Sequence, residues 1–261
     1  MNRIETTFQH KPIFMPYFPL GYPTIESSID ILEALAKNGA DLIEVGLAFS
    51  DPLADGPVIQ QATQIALQNG ITLKKALAGV AELRRRGVTI PLIMMGYYNP
   101  ILSFGLKNYV EAAQSAGADG FIIPDLPPEE AAEFEALCSY LPLIRMLAPT
   151  TPSERMASIA SSAKGFIYLV SVTGITGARQ QVSAGLEELI NKVKGSTSTP
   201  VCVGFGIGTP EQAKQVAAFA DGVIVGSACV KTIGESKNPV EEAKKLTREF
   251  AEAISQKFIL V

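Results

Sequence analysis

NGADLIEVG, residues 38–46, decides the fold, because the chain repeats it. AGADGFIIPD at 116–125 and FADGVIVGS at 219–227 carry the same order: the end of a helical stretch, then Ala-Asp, then a short apolar strand. SAKGFIYLVS at 162–171 is a degenerate copy with Lys164 in the aspartate position. The four copies fall on the second, fourth, eighth and sixth of eight strand candidates, in the order quoted. These candidates are Ile13–Phe18, Asp41–Val45, Pro91–Met95, Gly120–Ile123, Leu143–Leu147, Gly165–Val170, Val201–Val203 and Gly222–Val225. All are near-continuous apolar runs, as parallel strands covered on both faces should be. Amphipathic stretches lie between them: Thr24–Lys37, Pro57–Leu67, Leu73–Arg86, Asn108–Ala116, Pro128–Leu137 and Pro210–Phe219. Several begin at Pro or Thr and end near Gly, which are helix start and stop signals.

A repeat on every second strand fits a closed ring better than an open sheet, whose two edge strands would be unlike the rest. Eight strands with helical crossovers in 261 residues predict a single (β/α)8 TIM barrel with short extra helices, one domain over residues 1–261. A doubly wound open sheet is the alternative. It would usually show a GxGxxG after the first strand, and FPLGYP at 18–23 is not one.

Composition narrows the function. The chain is 47% hydrophobic and 18% charged with a net charge of −4, so it offers no basic field for nucleic acid or an anionic membrane. Cys138, Cys202 and Cys229 have no CxxC spacing and read as buried hydrophobes. His10 is the only histidine, which argues against triad hydrolysis and His-based metal sites; no metal is expected. The N-terminal MNRIETTFQHKP has no signal-peptide core, and no apolar run is long enough to span a bilayer. A cytoplasmic protein is the expectation.

In a barrel the active site lies at the C-terminal ends of the strands. Polar residues entering strands, such as Asp41, Asp119 and Asp221, then read as structural caps. Side chains alternate along a strand. If Ile43 and Val45 face the helices, Glu44 points into the barrel near its catalytic end. Desolvation there favours the protonated acid, and no basic residue lies at an adjacent strand end, so Glu44 is a candidate general acid or base. In SDPLADGP, residues 50–57, Asp51 reads as a turn residue, whereas Asp55 sits at the lip of the same strand end on a loop able to close.

Glycines mark a second feature. VCVGFGIGTP (201–210) follows the seventh strand and VIVGSACV (223–230) the eighth. Barrels commonly bind phosphate at these two positions, where backbone N–H groups and a helix beginning at Ser227 can hold an anion. SVTGITGAR (171–179) after the sixth strand would supply a third wall. Tyr168, if inward, sits in the mouth near Glu44, and Phe18, Tyr97 and Phe205 fall at strand ends. A ring of aromatics would suit a flat aromatic substrate.

IEVGLAFSDPLADGPVIQ, YYNPI, APTTP, YLVSVTGITGAR, GFGI and ADGVIVGSA, in this order, resemble the tryptophan synthase alpha chain family over roughly residues 14–254. FSDPLADGP is highly specific to that family; the glycine segments alone are not. The resemblance implies a lyase that splits indole-3-glycerol phosphate into indole and glyceraldehyde 3-phosphate. Glu44 and Asp55 match the family's catalytic carboxylates. The resemblance further implies that Gly177, Gly206, Gly226 and Ser227 hold the phosphate, and that Phe18, Tyr97, Tyr168 and Thr176 line the pocket or its closing loop. It implies a beta-chain partner in an alpha-beta-beta-alpha heterotetramer. Pyridoxal phosphate is expected only in that partner, so no cofactor is expected in this chain. Two positions depart from many relatives: Ala48 replaces a proline, and Val172 stands where some have arginine, which bears on loop closure. Rival readings are another phosphate-binding barrel, an inactive activator of a beta chain, and a lyase working alone. Indole-3-glycerol-phosphate synthase would need a catalytic lysine at a strand end, and Lys164 enters its strand instead.

Overall fold

The computed structural model describes residues 2–10, 12–171, 179–204 and 206–255. Eight parallel strands form the core: β1 Ile13–Pro19, β2 Ile43–Gly46, β3 Leu92–Met95, β4 Gly120–Ile122, β5 Arg145–Leu147, β6 Ile167–Val170, β7 Val201–Gly204 and β8 Gly222–Val225. Hydrogen bonding runs in the order β4-β3-β2-β1-β8-β7-β6-β5. The ring closes between β4 and the approach to β5. There the Phe121 N–H donates to the Pro142 carbonyl (2.9 Å), and the Ile144 N–H donates to the Phe121 carbonyl (2.8 Å). This is the TIM barrel that the repeat predicts, with each strand within two residues of its expected start.

Alternation along the strands sorts the side chains into two layers. Leu42, Ile93, Ile122, Ile144 and Ile224 fill the barrel, while Ile43, Val45, Leu92 and Met94 pack against the helices. The helices begin where the sequence says. Thr24, Thr72 and Thr209 each accept an N–H in the first turn of the helix that follows, and Pro57 and Pro210 open theirs. One expected helix differs. Pro128–Leu137 is split into a 3-10 turn at Pro128–Glu130 and a helix at Ala132–Leu137. Two successive prolines, Pro127 and Pro128, supply no N–H, and the first bonds are the tighter i→i+3 pairs Glu130 to Pro127 and Ala131 to Pro128.

The aspartates of the repeat close the lower end of the barrel. The carboxylates of Asp41, Asp119 and Asp221 accept the backbone N–H groups of Phe14, Leu92 and Val201 at 2.7, 2.8 and 2.9 Å. In each case the aspartate's own N–H donates back to the carbonyl of that same residue. Each repeat thus locks its strand to the preceding neighbour at a fixed register. Asp119 also pairs with Arg84 (2.5 Å) and Arg3 (2.9 Å), and the N-terminal segment plugs the floor with buried Ile4 and Phe8, the latter against Phe166.

Replacing Asp119 with alanine leaves the Leu92 N–H without its acceptor and the mostly buried Arg84, which keeps its bonds to the Gly117, Val88 and Ile90 carbonyls, without its carboxylate partner. We expect Asp119→Ala to lower the unfolding free energy by about 2–4 kcal/mol in a urea titration, with an unchanged ligand-binding site.

Candidate active site

Glu44 sits on β2 with its side chain inside the barrel and is 2% exposed. Its Oε1 is buried with no hydrogen-bond partner among the described residues. Burial in apolar surroundings, reinforced by the nearby charge of Asp55, raises its pKa from 4.5 to about 8. At neutral pH this side chain is a carboxylic acid, poised to give up a proton.

Asp55 reaches the same cavity from the loop between β2 and the helix Pro57–Gln68. Tyr97, at the end of β3, fixes that loop. Its hydroxyl accepts the Ala54 N–H at 3.0 Å and donates to the Asp55 carboxylate. Phe49 packs against the Tyr97 ring at 5.5 Å between centroids. Partial burial raises the Asp55 pKa to about 6, and the Tyr97 hydrogen bond restrains that rise. At pH 7 Asp55 is therefore chiefly ionised while Glu44 is neutral. Neighbouring carboxyls pushed apart in this way can serve as acid and as electrostatic stabiliser. Asp51 is exposed and accepts from the Ser50 hydroxyl at 2.5 Å, in keeping with a turn residue.

The two carboxyls open onto a cavity of about 400 Å³ whose lining also includes Met95, Ile122, Met146 and Tyr168. Gly206, Gly226 and Ser227 line it as well. The helix Ser227–Gly234 begins at Gly226 with no side-chain cap, so its first-turn N–H groups are open to a ligand. Gly206 has a φ of 75°, a conformation that favours glycine, and presents its backbone to the same space. No lysine, arginine or histidine lines the cavity among the described residues, and no group of three His, Cys, Asp or Glu among them could hold a metal ion. The walls suit a ligand with a flat apolar part and a small anionic tail.

Thr176, Gly177, Phe205 and Val172 lie outside the described residues. Tyr168 is inward and lines the cavity. Phe18 is corrected by the structure. It is fully buried in the outer layer, 6.1 Å from the Tyr22 ring, and does not line the cavity. Tyr17 takes the inward position. It pairs in register with Glu44, and alternation turns its successor Phe18 outward. The parity count that places Glu44, applied to β1 from Ile13 and Met15, leads to Tyr17.

Comparisons with known proteins converge on one family. A model of the tryptophan synthase alpha chain family matches residues 5–258. The tryptophan synthase alpha chain of Chloroflexus aggregans is 47% identical, with 98% of each chain covered, and that of Dehalococcoides mccartyi is 43% identical over 97% of this chain and all of its own. Among solved structures, tryptophan synthase subunit alpha from Legionella pneumophila superposes with a TM-score of 0.90 at 38% identity, covering 98% of this chain and 100% of that one. A tryptophan synthase structure from M. tuberculosis in its aminoacrylate-bound form gives 0.87 at 34% identity, covering 97% and 100%.

The burial of Glu44 has a measurable consequence for stability. Its folded pKa of about 8 lies above the ordinary 4.5, so the folded chain keeps a proton that the unfolded chain releases between those values. This group's contribution to stability is present below pH 4.5 and is lost as pH rises through about 8. Glu44→Gln removes that titration. The variant should be more stable than the parent by roughly 1–4 kcal/mol at pH 8 and differ little at pH 4.5, measured by denaturant unfolding at both pH values.

Proposed function

The chain belongs to the tryptophan synthase alpha chain family, and we infer from its cavity how Glu44 and Asp55 divide the work of its reaction. It is a carbon–carbon lyase that splits indole-3-glycerol phosphate into indole and glyceraldehyde 3-phosphate. The assignment of roles rests on one observation: a buried acid with no hydrogen-bond partner among the described residues faces the same cavity as a helix N-terminus without a side-chain cap.

The substrate phosphate is held by the backbone at Gly206, Gly226 and Ser227, with Gly177 the fourth contact that the family resemblance implies. The indole ring lies among Met95, Ile122, Met146 and Tyr168, while Tyr97, which is not part of the lining, acts from behind by fixing the Asp55 loop. Glu44 gives its proton to indole C3, leaving a positive charge shared with the ring nitrogen. Asp55 accepts the indole N–H and stabilises that charge. The bond between C3 and the first glycerol carbon then breaks, and its electron pair returns to the ring to restore indole. The hydroxyl on the departing carbon loses its proton to the Glu44 carboxylate and becomes the aldehyde of glyceraldehyde 3-phosphate. Glu44 ends protonated, as it began, so the cycle needs no outside proton source.

The same reading treats residues 1–261 as one catalytic domain in the cytoplasm, and no helix among the described residues is long and apolar enough to cross a membrane. It assigns no cofactor to this chain and places pyridoxal phosphate in a beta chain, with an alpha-beta-beta-alpha heterotetramer as the assembly. Leu53, 89% exposed beside Asp55, and Leu102, 53% exposed after β3, support docking at the catalytic face. An apolar side chain this open at the rim of a site suits burial by a partner.

Glu44→Gln should abolish indole release, to below about one-hundredth of the parent rate, while leaving phosphate-ligand affinity within about twofold. A variant turning over within a few-fold of the parent would remove Glu44 as the acid. In the parent, kcat/KM should fall above about pH 8 as Glu44 ionises, read from an indole assay across pH. Gly226→Val should weaken substrate binding through the crowded cradle, and Leu53→Asp should reduce beta-chain capture in a pull-down with cleavage by the isolated chain unchanged.

A further inference from the structure

Tyr17 is the one polar side chain of β1, IFMPYFP. It is 3% exposed and lines the active cavity. Its strand lies between β8 and β2, pairing with both. β8 leads into Gly226 and Ser227, and β2 carries Glu44. Neighbouring strands sit about 4.8 Å apart, so the phosphate cradle and the acid are separated by the width of β1 alone. A ligand that reaches from Gly226 and Ser227 to Glu44 by the shortest way lays its linking atoms across β1, over Tyr17.

Packing fixes where the phenol stands. Tyr17 is opposite Glu44 in register, and its ring leans over Gly46, two residues further up β2, where a Cβ would collide with the hydroxyl. On its other side, a Cβ at Gly226 would lie 3.8 Å from the Tyr17 Cβ. The hydroxyl makes no hydrogen bond to the described residues, and it stands close enough to the Asp55 and Glu44 carboxyls to interact with both. Burial and those two carboxyls hold it protonated, so it keeps a proton to donate.

Resting on the assignment of the phosphate to Gly226 and Ser227, we propose that the Tyr17 hydroxyl is a specificity-determining contact that hydrogen-bonds the hydroxylated three-carbon chain of the substrate. The glycerol hydroxyls are the only polar atoms between the substrate's phosphate and its ring. A buried phenol with no partner among the described residues rewards a ligand that brings a hydroxyl and penalises one that does not. Tyr168 is also inward and close enough to Glu44 and Tyr17 to interact with them, but its strand β6 borders β7 and β5, so Tyr17 alone of the two stands on the strand between β8 and β2.

The test compares two ligands on the full chain and its Tyr17→Phe variant: indole-3-glycerol phosphate, and 3-(indol-3-yl)propyl phosphate, which has the same ends and no chain hydroxyls. The expected result is a fall of about five- to tenfold in kcat/KM for the glycerol substrate, with the propyl ligand's Kd in calorimetry unchanged within twofold. An equal loss for both ligands assigns Tyr17 to packing over Gly46 and overturns the proposal, as does no loss for either. A parent chain that does not cleave the glycerol substrate overturns the underlying functional reading as well. A parent that cleaves it beside an unaffected variant overturns the role of Tyr17 alone.

Discussion

A carboxyl group inside an apolar barrel is stable only if it is neutral or paired. Glu44 has no arginine, lysine or backbone donor within reach among the described residues, and its Oε1 has no partner, so the barrel holds it as an acid. The rest of the site follows from that constraint. Parity on β2 sends Glu44 inward because Ile43 and Val45 are needed outward against the helices. The short strand then gives way at once to the loop carrying Asp55, which Tyr97 pins by two hydrogen bonds. One carboxyl is kept neutral by deep burial and the other, at position 55 rather than 44 and less deeply buried beside a phenol donor, stays chiefly ionised.

The lower end of the barrel solves the opposite problem with the same kind of side chain. Asp41, Asp119 and Asp221 stand at strand entrances, where each meets a backbone N–H of the neighbouring strand, and Asp119 meets two arginines besides. These carboxylates are satisfied, and they hold register. Glu44 is left unsatisfied, and it costs stability as pH rises. A fold that places its stabilising contacts at one end of each strand is free to place a destabilising, reactive group at the other.

Much of this was legible because the barrel imposes two short periods on the chain. The Ala-Asp repeat marks every second strand, and the alternation of side chains fixes what faces inward. Glu44, Asp55, Gly206, Gly226, Ser227, Tyr97 and Tyr168 all come to the catalytic end by those two rules. The adjacent aromatics Tyr17 and Phe18 were not separable by residue type, since both suit a buried strand end. Their difference is one step of register, which the pairing of Tyr17 with Glu44 settles. Met95, Met146 and Ile122 were hidden for another reason. Apolar residues lining a cavity look in sequence like apolar residues filling a core, and only closure of the ring distinguishes them. The break at Ala131 arises from hydrogen-bond geometry after two prolines, which amphipathic spacing does not register.

The absence of basic side chains from the described cavity lining belongs to the same logic. An arginine or lysine clamp for the phosphate would stand one strand away from Glu44 and, in a cavity of low polarity, would favour its ionised form. The acid would then be spent before the substrate arrived. Backbone N–H groups at the start of the Ser227–Gly234 helix offer partial charges that fade within a turn, enough to hold an anion without stripping the proton from Glu44. A bound phosphate in fact works the other way. Held where we propose, its negative charge would add to that of Asp55 in the same cavity and push Glu44 further toward its protonated form, so the ligand that requires the acid would also sustain it.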